Sequence, residues 1–229
     1  MKINWDDCLF IIGRHGETAG NQKNIYRSWS NREWAQLDPN GKKEIWAEAA
    51  WLEKYGAPVE LIICDTLDRV WESAEIFATY LKIPRIVGLR GLHPLNMGDY
   101  TGKDKDKFPI DPFVKDTSKV IPGGENLDGF NKREMDTFRG IWDVIEGMPG
   151  GRVLVIGHGS NISFLHNHIF NVGEPRTGYE GLVDPGGLVA ARTSGLDPLT
   201  RVRKKDVRDI RVNSKGSGKR TDSHDEGNG

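Results

Sequence analysis

Apolar residues in this chain gather into short unbroken runs, and between the runs they recur with helical spacing. Residues 8–13 place Leu9, Phe10, Ile11 and Ile12 side by side, without the alternation of a half-exposed strand. That pattern predicts a strand buried on both faces. Residues 59–64, 84–89, 152–156 and 188–191 predict four more strands. Ile45, Ala49 and Leu52 fall at i, i+4 and i+7 in a helix expected over 41–55, with Gly56 as its stop. Asp65 or Thr66 is expected to cap a second helix, in which Val70, Ala74, Phe77 and Leu81 share one face. A third resumes near Leu127, with Phe130, Phe138, Ile141, Trp142 and Ile145 on its apolar side and Gly147, Gly150 and Gly151 at its end. Residues 160–170 also read as helical. Two stretches lack either period and are expected to be loops: 19–40, interrupted by Tyr26, Trp29 and Trp34, and 90–124.

Strands and helices that alternate in this way predict an α/β fold, a three-layer α/β/α arrangement around a mainly parallel sheet. The 229 residues suit one large domain, expected over 1–210. From 211 onward Gly, Ser, Lys, Asp and Asn dominate and Val212 is the only large aliphatic residue, so 211–229 is expected to be a disordered tail. Thirty-two basic residues balance 33 acidic ones, a net charge of −1, and no global field favours nucleic acid or membrane. Residues 1–7 are polar and acidic, and no apolar stretch approaches the roughly 18 residues of a membrane span, so a cytoplasmic location is expected. Cys8 and Cys64 fall in or beside strands and read as small buried hydrophobes in a reducing compartment.

The candidate chemistry sits where the apolar runs end. The first run empties into Arg14-His15-Gly16-Glu17-Thr18, and the run 152–156 into Gly157-His158-Gly159. Ligands of open α/β sheets bind at the carboxyl ends of strands. Arg69 opens the helix after the second strand, so Arg14, His15, Arg69 and His158 converge if their strands are adjacent and parallel. Such a set suits a phosphate monoester, which carries about two negative charges. Two guanidinium forks match phosphoryl oxygens, a neutral imidazole attacks phosphorus in line, and the second histidine, charged by the anion, stabilises the transferring group. Gly16 and Gly159 allow close backbone approach to an anion. Neither a metal nor another cofactor is called for, because the cationic side chains neutralise the phosphoryl group. His166 and His168, at i and i+2, point to different sides of a helix and make no metal site. The basic run Arg201, Arg203, Lys204, Lys205 is broken by Asp206 and Asp209 and reads as a solvated segment. Trp29 and Trp34 are candidates to line a pocket beside the nucleophile. The expected partner is a small phosphorylated molecule.

Arg14-His15-Gly16-Glu17-Thr18, with Asn21 three residues on, resembles the opening motif of the histidine phosphatase superfamily, the phosphoglycerate mutase-like family. Later segments are similar in order and spacing. Leu37-Asp38-Pro39-Asn40-Gly41 resembles the family's lead into its first helix. Asp65-Thr66-Leu67-Asp68-Arg69 resembles its serine-aspartate-leucine-x-arginine segment, and Gly98-Asp99-Tyr100-Thr101-Gly102 its glycine-x-tryptophan-x-glycine turn. Pro122-Gly123-Gly124-Glu125-Asn126 is similar to its proline-glycine-glycine-glutamate-serine turn, and Gly157-His158-Gly159 to its second histidine. The resemblance spans roughly residues 8–192. It implies a phosphoglycerate mutase-like fold, a phosphorylated nucleophile at His15, and a phosphate pocket completed by Arg14, Arg69 and His158. It also implies Asn21 at the pocket edge and Glu125 facing the substrate.

One departure matters. The family places an acidic proton donor four positions before the first glycine of its tryptophan turn, and Pro94 stands there. His93 substitutes if the loop shifts by one residue; Asp99 and Glu17 are the alternatives. Loss of general-acid help costs about two to four orders of magnitude, so activated esters such as aryl phosphates or phosphoanhydrides are the expected substrates. A metal-independent phosphatase is the leading reading. Its rivals are a phosphoglycerate mutase, although 90–124 lacks the glutamate-arginine-histidine-tyrosine-glycine motif of mutases, and a phospho-ligand binding protein without turnover.

Overall fold

The computed structural model describes residues 3–170 and 184–192, together with the backbone of 195–198. The limit of the domain at 210 and the tail 211–229 lie outside the described residues. Within them, six strands form one sheet: β1 (Cys8–Arg14), β2 (Leu61–Cys64), β3 (Ile86–Gly88), β4 (Val153–Gly157), β5 (Leu188–Arg192) and β6 (Gly195–Pro198). Their order is β3-β2-β4-β1-β5-β6. The first four run parallel, while β5 is antiparallel to β1 and β6 to β5.

Each parallel strand feeds two cores, because successive side chains leave opposite faces of a pleated strand. Phe10 and Ile12 of β1, Leu61 and Ile63 of β2, and Val153 and Val155 of β4 enter one core. Ile11, Ile62, Cys64, Leu154 and Ile156 enter the other. Helices cover both faces. On the second face lie α2 (Pro39–Lys54), through Ile45, Ala49 and Leu52, and α3 (Asp68–Leu81), through Val70, Ala74 and Phe77. On the first lie α5 (Leu127–Gly147), through Phe130, Phe138, Ile141 and Ile145, and α6 (Gly159–Phe164), which runs on as a π-turn over Leu165–Ile169. Each large side chain so buried contributes about 1.5–3 kcal/mol. The three-layer expectation holds, and Cys8 and Cys64 are buried free thiols.

The element boundaries follow capping chemistry more than period. Helix α2 begins at Pro39, because the Asp38 carboxylate accepts from the Gly41 N–H at 2.7 Å; it ends before Gly56, whose φ of +65° suits glycine. Asn126 caps α5 in the same way. The expected cap on α3 is corrected: Leu67 holds that position without a side-chain bond, and Asp65 and Thr66 lie outside the helix. The loops 19–40 and 90–124 contain short elements that period could not reveal. They are α1 (Ala19–Gln22), α4 (Asp111–Lys115), and 3-10 turns at Glu33–Ala35, Arg90–Leu92 and Gly98–Tyr100.

Adjacency of β2, β4 and β1 brings their carboxyl ends to one edge of the sheet. Among the described residues no helix is long and apolar enough to cross a membrane.

Candidate active site

Four side chains reach that edge from three strands. Arg14 is the last residue of β1 and His15 follows it; Asp65 follows β2 and His158 follows β4. The His15 and His158 rings lie 5.2 Å apart, centroid to centroid, at 67°. Both are buried, as is Arg69 in the first turn of α3. Arg14, Arg69 and His158 border a cavity of about 60 Å³ with Arg27, Lys105 and Ser160. That space exceeds the roughly 10–15 Å³ that one water needs, and the charged side chains on its border are cationic. A larger cavity, about 660 Å³, opens between β3 and α5, but neither histidine forms part of its walls.

Hydrogen bonds fix the tautomer of each imidazole. His15 Nδ1 lies 2.7 Å from the Gly16 carbonyl oxygen, which can only accept, so Nδ1 carries the proton and Nε2 the lone pair. Burial holds the His15 pKa well below its ordinary value, and Arg27, Arg69, His158 and Arg14 depress it further. The His15 imidazole is therefore neutral at pH 7. His158 Nε2 donates to Asp65 Oδ2 at 2.6 Å, and burial, with Arg69, pulls the His158 pKa down to about 3 against the opposing pull of Asp65. Burial would raise the Asp65 carboxyl, but hydrogen bonds from His158 and His93 overcome it and hold the group well below the usual carboxylate range. An ionised Asp65 thus accepts from a neutral His158 on one oxygen and from His93 Nδ1 on the other.

Arg69 is clamped from the loop side. Its Nη2 donates to the Ser28 carbonyl at 2.7 Å and its Nη1 to that of Ser30 at 3.1 Å, while Nε has no partner among the described residues. Burial lowers its pKa to about 10, which leaves it charged at neutral pH.

The sequence profile of the histidine phosphatase superfamily (branch 1) matches residues 10–195. This chain belongs to that superfamily. Among curated proteins it is similar to a 2,3-bisphosphoglycerate-dependent phosphoglycerate mutase of Cytophaga hutchinsonii, 27% identical over 170 residues, covering 70% of this chain and 76% of the relative. Among solved structures it resembles the alpha-ribazole phosphatase of Shigella flexneri, with a TM-score of 0.62 and 18% identity, covering 85% of this chain and 96% of that one. A phosphoglycerate mutase of Thermus thermophilus is similar at a TM-score of 0.60 and 22% identity, over 85% and 98% of the two chains. At these identities the structural likeness shows the phosphoglycerate mutase-like fold.

As a member of the histidine phosphatase superfamily the chain keeps the two histidines and two arginines at one edge of the sheet, but several other expected site residues lie elsewhere. Asn21 Oδ1 accepts from the Thr18 N–H and hydroxyl, forming the cap of α1, and Asn21 does not border the cavity. Glu125 does not border it either; Glu125 Oε1 accepts from Arg133 and from the Asn96 N–H, which ties the loop to α5. Asp99 is exposed. Glu17 is buried and accepts from Gln22. Gly16 answers a packing need, since a Cβ there would stand 2.4 Å from the Gly41 carbonyl oxygen. Gly159 does border the cavity.

Three participants escaped the sequence reading. Arg27 and Lys105 lie in aperiodic stretches that offered no signal. Asp65 had one, because it directly follows a buried strand just as His15 and His158 do, but an acidic residue ahead of a helix also reads as a cap.

Beneath His158, Asn161 Oδ1 accepts from the His158 N–H at 2.6 Å while its amide donates to Leu92 O and to Glu134 Oε1. Burial raises the Glu134 pKa to about 8; Asn161 and Arg133 oppose the rise, and Asp65 and Glu125 add to it. A carboxyl whose folded pKa lies above its unfolded value near 4.5 gives stability that is complete below that value and lost as pH rises through about 8. The contribution of this group to the melting temperature should therefore fall between about pH 4.5 and about pH 8 and level off above, and Glu134→Gln should flatten the fall. Superimposable curves for the two proteins would refute this.

Proposed function

We propose that the chain is a metal-independent phosphatase that hydrolyses phosphate monoesters through a phosphohistidine at His15. The observation that carries this reading is the unprotonated Nε2 of His15, whose ring packs 5.2 Å from that of His158, which in turn borders the arginine-lined cavity. Arg14 and Arg69 grip the phosphoryl oxygens, and Nε2 attacks phosphorus. The N–P bond forms as the bond to the leaving oxygen breaks. A bound dianion raises the pKa of His158, which then stabilises the transferring group as a cation.

His93 serves as the proton donor in place of the acidic residue that Pro94 displaces. Its Nδ1–H is held by Asp65, so the doubly protonated ring gives the leaving oxygen its Nε2 proton and is left neutral. His93 then accepts a proton from the water that attacks phosphohistidine, which releases inorganic phosphate and restores His15.

The mutase names of the curated relatives favour a second reading, an intramolecular phosphoryl transfer. A screen of phosphate esters in excess chelator, run with 3-phosphoglycerate in a coupled assay, separates the two. The phosphatase reading expects free phosphate at an undiminished rate in chelator. Isomer formation without free phosphate, or loss of activity with chelator, would overturn it.

A further inference from the structure

We infer that Trp29 is a stacking platform for a flat aromatic leaving group, so that the substrates of this site are aryl phosphates; the inference rests on the phosphatase reading above. Trp29 and Val120 are the exposed large hydrophobic residues among those described, and 43% of Trp29 meets solvent. Exposure here is not looseness. The indole Nε1–H donates to the Pro94 carbonyl at 2.7 Å, and its ring meets the His93 ring edge-on, 5.1 Å between centroids at 70°. The Arg133 guanidinium lies 5.8 Å from the ring centre, itself held by the carbonyls of Gly91 and His93 and by Glu125. The preceding residue, Ser28, holds Arg69 through its carbonyl, and its hydroxyl accepts from the Met97 N–H. A rigid, half-open indole is therefore tied to the phosphate pocket on one side and to the proton donor on the other.

Geometry then says what it meets. In-line displacement puts the leaving oxygen on the side of phosphorus opposite the nucleophile. If His93 protonates that oxygen, the rest of the leaving group lies beside the ring that packs against His93. An exposed aromatic face held in that place favours a flat π-surface, by stacking that alkyl groups do not match. The missing carboxylic acid points the same way. A phenol, with a pKa of about 10, leaves with far less protonation than an alkyl alcohol near the 15.7 of water. In the balanced step the aryl oxygen keeps the electron pair of the broken P–O bond and takes the His93 proton, while His15 Nε2 forms the bond to phosphorus.

The test compares kcat/KM for phenyl phosphate and glycerol phosphate in wild type, Trp29→Ala and Trp29→Phe. Intrinsic reactivity cancels when the ratio of the two esters is compared between enzymes. The ratio should fall about tenfold in Trp29→Ala, mainly through the KM of phenyl phosphate, and should be kept within about threefold in Trp29→Phe. An unchanged ratio in Trp29→Ala would overturn the platform, since a merely structural peg lowers both esters alike. A second measurement needs neither a variant nor turnover. Calorimetry on the wild type should give a Kd about fivefold lower for phenylphosphonate than for cyclohexylphosphonate, and equal values would also overturn the inference. Turnover with an unchanged ratio sinks the platform alone, whereas an absence of turnover on every ester sinks the phosphatase reading.

Discussion

In a His15→Ala protein, turnover of every phosphate ester is expected to fall by about 10⁴-fold or more. The size follows from the role. His158 is committed to Asp65 through its Nε2–H, and arginine side chains stay protonated and offer no lone pair. The arginines and Ser160 would still hold phosphate, so the variant should bind inorganic phosphate within a few-fold of wild type while failing to turn esters over. A rapid alkaline quench of the wild type with labelled ester should place phosphate on His15. Label on another residue, or more than about one per cent of wild-type turnover in His15→Ala, would sink the proposed mechanism.

The second large effect belongs to Asp65→Asn. Each Asp65 oxygen holds one imidazole, and the side chain is fully buried. Asparagine keeps the volume but offers one acceptor oxygen and one NH₂, so one of the two imidazoles meets a donor where it had an acceptor. Its tautomer must reverse. If that imidazole is His93, Nδ1 must accept, and the doubly protonated ring that can give up its Nε2 proton loses the carboxylate that holds it. An Asp→Asn change that reverses a catalytic tautomer costs about 10⁴ in kcat in the well-studied serine protease case, and general-acid loss alone about 10²–10⁴. A drop of about 10²–10⁴ in kcat is expected for glycerol phosphate, and a smaller one for phenyl phosphate.

Equal losses on the two esters would show Asp65 to be a structural strut only. Asp65→Ala is the poorer probe, because stripping one partner from a buried pair costs about 3–5 kcal/mol of stability. The acid side gives a further check. With its folded pKa depressed below 3.8, Asp65 adds stability that is complete above that pH and lost as the pH falls through the folded value. The Asn variant should show a shallower acid-unfolding curve.

What the sequence disclosed and what it hid have the same physical origin. Runs of apolar residues report burial on both faces of a strand, so β1, β2 and β4 were legible, and with them the positions of Arg14, His15 and His158 at strand ends. Helical period disclosed α2, α3 and α5, because 14 to 21 residues repeat a face often enough to be seen. Four- and five-residue helices such as α1 and α4 repeat nothing; the Thr18 cap of α1 and Pro112 in the first turn of α4 are their traces. Partner choice was hidden throughout. Glu125 fits the family turn by position, but what decides its direction is Arg133, on a helix eight residues away. Asp65 reads as a helix cap until two imidazoles, from loops 28 and 93 residues distant, are seen to close on it.

The clamp on Arg69 has a consequence for how this protein can change. A guanidinium has five N–H groups. Two serve the Ser28 and Ser30 carbonyls, which leaves at most three for an anion. In the proposed function, the residue that grips the charged end of a ligand is thus also the anchor of the segment that carries the indole. A lysine in its place would have too few donors, in the wrong directions, to satisfy both duties. Selectivity and grip are mechanically one part, and a sequence that drifts in the 28–30 segment re-aims the guanidinium together with the mouth of the pocket.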